Sequence, residues 1–155
     1  MWWANLDRIP TKLALIRRNI NVGEGLCTFC GEVIETTEHI FTACQLANGV
    51  WNGIASWVRI PPVFVFSVKD ILELVEHLKV STSKAEVLFG IFVLTIWRIW
   101  VARNEALFSQ KNVNEKNVNV ARIVADIKSF GFLWFNSRSK KGGLVWKNWC
   151  NFNIT

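Results

Sequence analysis

From Val87 to Ala102 the chain reads VLFGIFVLTIWRIWVA, apolar except at Thr95 and Arg98. A bilayer span needs about 20 predominantly apolar residues, and runs of about 10–14 are more often buried core helices. Here the uninterrupted run ends at Arg98 and is followed by Arg103, Asn104 and Glu105, so the pattern predicts a central core helix rather than a span. With no breaker in WRIWVARNEALF, that helix should continue to about Phe108, with Trp97, Trp100, Val101, Asn104 and Phe108 on one side. Trp97, Trp100 and Trp134 are therefore expected to be largely buried, because indoles on one side of a helix pack.

Shorter patterns surround this helix. Thr11 after Pro10 is an N-cap for a short helix through Leu13, Leu15 and Ile16, ending by Asn19. Phe41, Leu46, Val50, Ile54, Trp57 and Val58 recur at helical spacing, predicting a helix from about Thr37 to Val58, closed by Pro61 and Pro62. Ser67 with Asp70, and Ser83 with Glu86, read as capping boxes before two further helices. Val120, Ile123, Val124, Ile127, Phe130 and Trp134 predict a last amphipathic helix, separated from the long one by the loop KNVNEKN. The tail LVWKNWCNFNIT reads as extended.

Length and a 51% hydrophobic composition allow one real core in 155 residues. Charge is uneven: 8 Lys/Arg against 9 Asp/Glu through Trp97, then 10 against 3 from Arg98 onward. A basic, tryptophan-bearing C-terminal part could track a phosphate backbone and stack bases, and Arg122, Lys128, Arg138, Lys140 and Lys141 are the candidate contacts. The competing reading makes these side chains the solvated faces of helices and a tail.

Four cysteines, three of them within 18 residues, do not make a disulfide framework, and MWWANLDRIP has no secretory pattern, so an intracellular location, cytoplasm or nucleus, is expected. Cys27, Cys30, His39 and Cys44 are spaced C-x2-C-x8-H-x4-C. A two-residue gap lets a tight knuckle aim both sulfurs at one ion, Gly31 suits a turn needing positive φ, and Thr36 or Thr37 can cap a helix just ahead of His39. On an ideal helix five residues turn about 140°, so the His39–Cys44 segment must relax to bring both ligands together. The alternative is three buried thiols and a surface imidazole. Four protein ligands fill a tetrahedral zinc and leave no place for an activated water, so the predicted Zn2+ is structural. The fold class expected is mainly α: a small domain of about five helices with an N-terminal Cys3His zinc knuckle and a short extended C-terminal tail.

RIPTKLALIRRNI, CTFCG, ETTEHIFTAC and VWNGIASWV, with WRIWVARNEALF and VWKNWCNFN downstream, resemble the zinc-binding region of plant LINE-type (non-LTR) retrotransposon reverse transcriptases across nearly the whole chain. The resemblance implies the metal ligands Cys27, Cys30, His39 and Cys44, and packing roles for Trp51, Trp57, Trp97 and Trp100. It also implies a zinc-binding region over 1–60 that starts partway through the family's domain, packed with a tryptophan-rich helical region over 61–155. Asn19 stands where the family usually has glycine, which implies strain at that turn. The parent polyprotein is an RNA-directed DNA polymerase; its implied partners for this part are RNA or DNA and other polyprotein segments, with no membrane and no small-molecule substrate.

Catalysis of its own is not expected. Polymerase and ribonuclease H sites need clustered carboxylates holding two metal ions, whereas this chain has three scattered aspartates, Asp7, Asp70 and Asp126, and no tyrosine. Two classes remain: a non-catalytic, zinc-stabilised accessory domain of a reverse transcriptase, or a stand-alone protein-interaction module left by a decayed element.

Overall fold

The computed structural model describes residues 8–108, 118–138 and 143–154. The loop KNVNEKN and Lys140 and Lys141 of the basic tail lie outside them. Six α-helices and one π turn make up the described regular structure: α1 Lys12–Ile16, the π turn His39–Ala43, α2 Gln45–Val58, α3 Val68–His77, α4 Thr82–Phe108, α5 Val120–Arg138 and α6 Trp146–Cys150. The fold is mainly helical, as the apolar spacings predict. Among the described residues the only β pairing is two isolated bridges, Val22 with Glu24 and Leu26 with Ile34.

Caps set several boundaries. The Thr11 hydroxyl accepts the Ala14 N–H at 3.2 Å and starts α1. Asn19 closes the following turn at φ 59°, left-handed backbone that glycine adopts at less cost. Ser67 and Asp70 form the expected reciprocal box at the head of α3. The start of α4 differs from expectation: Ser81, not Ser83, accepts the Lys84 N–H, so the helix begins two residues sooner.

Helix α4 is the axis of the molecule, roughly 40 Å long at 1.5 Å per residue, and packs against α2, α3, α5 and the π turn. By length and composition it could cross a membrane, but half of its most apolar window is buried inside the protein. Its buried stripe runs through Leu88, Phe92, Thr95, Ile99, Ala102 and Ala106 in steps of three and four, with Ile91 buried alongside. Arg98 and Arg103 join it, each ion-paired with a carboxylate from outside the helix, Asp126 of α5 and Glu35 of the loop before the π turn. The expectation of buried tryptophans is thereby corrected: Trp97 is 47% and Trp134 45% exposed. Trp97 lies beside the stripe, edge-on to Phe130 of α5, and the Arg138 guanidinium stands over Trp134.

Helix α2 meets α5 through glycine. A Cβ at Gly49 or Gly53 would lie 3.1 or 2.9 Å from methyls of Val120 and Val124, so the two helices approach as closely as hydrogen side chains permit. The C-terminal tail is also a correction, because Trp146–Cys150 coil into α6 instead of running extended. Burial decides it: one helical turn seats the Trp149 ring in the core, with its indole N–H on the Lys128 carbonyl at 2.7 Å. The buried apolar residues from Cys27 to Phe152, Ala106 excepted, form a single cluster.

Candidate metal centre

The knuckle is built by backbone bonds around Cys27. Its N–H donates to the Val33 carbonyl at 2.7 Å, and its carbonyl accepts the Gly31 N–H at 2.9 Å. Gly31 takes φ +69° to close that turn. The Phe29 N–H points at the Cys27 sulfur from 3.4 Å, a contact that supports negative charge on it.

On the other side, the Thr36 hydroxyl accepts the His39 N–H at 3.0 Å and caps the turn that carries the imidazole. The π turn removes the angular misfit between His39 and Cys44. An i to i+5 bond, Cys44 N–H to the His39 carbonyl at 2.7 Å, stacks the two residues where an α-helix would set them about 140° apart. Cys44 itself leaves the helical region, at φ −67° and ψ 139°, and α2 starts behind it. The single helix expected over 37–58 is therefore broken at the ligand. Trp51 of α2 locks the π turn in place, its indole N–H donating to the Phe41 carbonyl at 2.7 Å and its ring edge-on to Phe92 of α4.

These elements bring Cys27, Cys30, His39 and Cys44 together with their ligand atoms all within 4.8 Å of one another. Cys27 Sγ is 4.0 Å from Cys44 Sγ, and Cys30 Sγ is 3.4 Å from His39 Nε2. Ligands about 2.3 Å (sulfur) and 2.0–2.1 Å (nitrogen) from a tetrahedral zinc lie about 3.8 and 3.5 Å from each other, so the donor set fits zinc. Cys27, His39 and Cys44 are buried and Cys30 half-buried, which suits a closed structural site. Bound there, zinc would cross-link the knuckle to the π turn. The sulfurs are not equivalent: the hydrogen bond with Cys44, and then burial, push the Cys27 thiol up, while that same bond pulls Cys44 down.

Glu35, Thr28 and Arg103 are site neighbours that sequence reasoning missed. Glu35 is fully buried, and Thr28 and the Arg103 guanidinium both donate to its carboxylate. Burial pushes its carboxyl up more than any other single influence, but Arg103, Thr28 and the N–H groups of Lys12 and Thr28 together outweigh it and hold it below the usual glutamate range. A signal was present in the arginines of the apolar helix, since a core arginine needs a buried anion.

The basic candidates are placed apart. Arg122 is exposed near the start of α5, and Arg138 is exposed at its end, over Trp134. Lys128 is half-buried, its ammonium 5.2 Å from the Trp57 ring centre. At 100° per residue the three point about 120° or more apart around α5 except for Lys128 and Arg138, about 80° apart.

Residues 1–51 match a family described as zinc-binding in reverse transcriptase. No curated protein and no solved structure matches the chain. The four gathered ligands sit inside the matched segment, and with it they establish that the chain carries, over residues 1–51, a zinc-binding region of the reverse-transcriptase type.

Proposed function

We propose that this chain is a non-catalytic, zinc-stabilised accessory part of a reverse transcriptase of the plant LINE-type (non-LTR) retrotransposons, and that it contacts RNA or DNA beside the polymerase. The observation that carries the accessory role is the closed donor set: four protein ligands converge on one point, so a bound zinc has no coordination place for substrate or water. The excess of cations from Arg98 onward supports the nucleic-acid contact, with Arg122, Lys128, Arg138, Lys140 and Lys141 as its candidates. In this reading α4 is a core helix and not a membrane span, and the protein works inside the cell, where thiolates stay reduced.

Filter binding of the full chain to single-stranded RNA tests the contact. Three to four phosphate contacts predict about 20- to 50-fold weaker binding at 200 mM than at 50 mM salt. A second reading, a protein-interaction module left by a decayed element, is favoured by the exposed aromatics Phe64 and Phe66, 85% and 89% accessible. Absence of RNA and DNA retention at the lower salt would select it.

A further inference from the structure

The zinc ligands all lie within residues 27–44, yet the best-connected buried charge beside them is answered from α4. Glu35 uses both carboxylate oxygens. Oε2 accepts the N–H of Thr28 at 3.0 Å and its hydroxyl at 2.7 Å; Oε1 accepts the Lys12 N–H at 2.9 Å and Nη2 of Arg103 at 2.5 Å. Thr28 is the first residue after Cys27, so two of these bonds fix the opening of the knuckle itself.

Arg103 is placed for this one task. It is 2% exposed, its Nη1 donates to Asn104, its Cζ lies 4.9 Å from the Trp100 ring centre, and its Nε has no partner among the described residues. A charge buried so fully is tolerated only against a fixed counter-charge. The local balance is informative. A divalent ion with three thiolates carries one net negative charge, and Glu35 beside it adds a second. Arg103, together with the Lys12 ammonium bonded to the Leu26 carbonyl at 2.7 Å, returns the region to neutrality.

We propose that Glu35 and Arg103 are positioning residues of the metal centre: Glu35 shapes the Cys27–Cys30 knuckle through Thr28, and Arg103 supplies from α4 the cation that balances Glu35 beside the three thiolates. The inference rests on the zinc reading and extends it, because it places a determinant of metal affinity 52 residues beyond the matched segment. An ion pair that merely held the fold together would set stability and leave the metal's ligand field alone. A positioning pair sets the geometry that the metal reports.

The test is a cobalt(II) titration of the full chain, read by sulfur-to-metal charge-transfer absorption and ligand-field bands, followed by zinc competition and a urea midpoint for each variant. Outer partners of metal ligands commonly set affinity by 10–100-fold. Arg103→Met is expected to fall in that range, with shifted ligand-field bands. Thr28→Val, which leaves the ion pair intact and removes only the hydroxyl donor, is expected to bind about 10-fold more weakly with a near-native urea midpoint. If Arg103→Met does not fold, Thr28→Val decides alone. Wild-type zinc affinity and an unshifted spectrum in Thr28→Val, or in folded Arg103→Met, overturn the proposal. A wild-type chain that takes up no stoichiometric metal would instead sink the zinc reading on which it stands.

Discussion

Trp57 and Trp149, 92 residues apart, are joined twice: the Trp57 indole N–H donates to the Trp149 carbonyl at 3.1 Å, and the two rings meet edge to face at 5.2 Å. Trp149 also touches Phe132, Phe135 and Phe152 while its own N–H is held by Lys128. The C-terminal turn is thus a structural wedge between α2 and α5. Trp149→Ala should cost about 3–5 kcal/mol, the usual range for removing a buried tryptophan. In a chain of this size that lowers the melting temperature by about 6–20 °C. A calorimetric loss below about 1 kcal/mol would mean the tail is not part of the core.

The crossing of α2 over α5 sets a sign. Glycine to alanine inside an exposed helix gains up to about 1 kcal/mol. At Gly53 the new methyl would lie 2.9 Å from Val124 Cγ2, closer than real contacts allow, and overpacking costs about 1–3 kcal/mol. The clash is expected to win, so Gly53→Ala should be destabilised by about 1 kcal/mol and Val124→Ala in the same chain should recover part of it. Urea midpoints of the two single variants and the double variant measure this coupling.

Native mass spectrometry of chain produced in zinc-supplemented medium should find one zinc per molecule, and His39→Ala should bind it at least 10-fold more weakly. Chelation should raise amide exchange most across residues 25–44, whereas the middle of α4, packed by its own stripe, stays protected. Equal metal content and affinity in His39→Ala would remove the imidazole from the ligand set.

Asp70 gives α3 an acid-sensitive start. Its carboxylate accepts the Phe66 and Ser67 N–H groups, and the bond from Phe66, followed by the contact with the Ser67 side chain, holds its carboxyl below the ordinary value of 3.8. A carboxyl depressed in the folded state stabilises above its unfolded pKa, and that contribution is lost as pH falls from about 3.8 through the lower folded value. Amide exchange across Val68–His77 should therefore rise in acid more in the wild type than in Asp70→Asn. Parallel acid profiles for the two proteins would dissociate Asp70 from the capping.

The zinc ligands and most helices were legible because their information is local. A C-x2-C pair, a hydroxyl before a helix and apolar residues at intervals of three and four are all contained in a few turns of chain. What could not be read was relational. The helical period of α4 is compatible with more than one inward face, and choosing between Trp97 and Arg98 needs the carboxylate of Asp126 on α5. The π turn was foreshadowed only as a geometric misfit between His39 and Cys44. Glu35 looked like an ordinary acidic residue until Arg103 arrived beside it, and α6 formed where the pattern read extended because Trp149 had a pocket to fill.

The two closures around the knuckle differ in when they can form. Cys27 and Cys44 are 17 residues apart, Glu35 and Arg103 are 68. Two doublings of loop length add only about 1.2 kcal/mol of closure entropy, so the larger difference is temporal. At roughly 5–20 residues per second, Arg103 follows Cys44 out of the ribosome by about 3–12 s. Over those seconds the nascent chain holds every ligand of the zinc centre while the cation that balances Glu35 has yet to be made. Metal capture during synthesis is thus expected to be weak and reversible at first, becoming tight only when α4 docks.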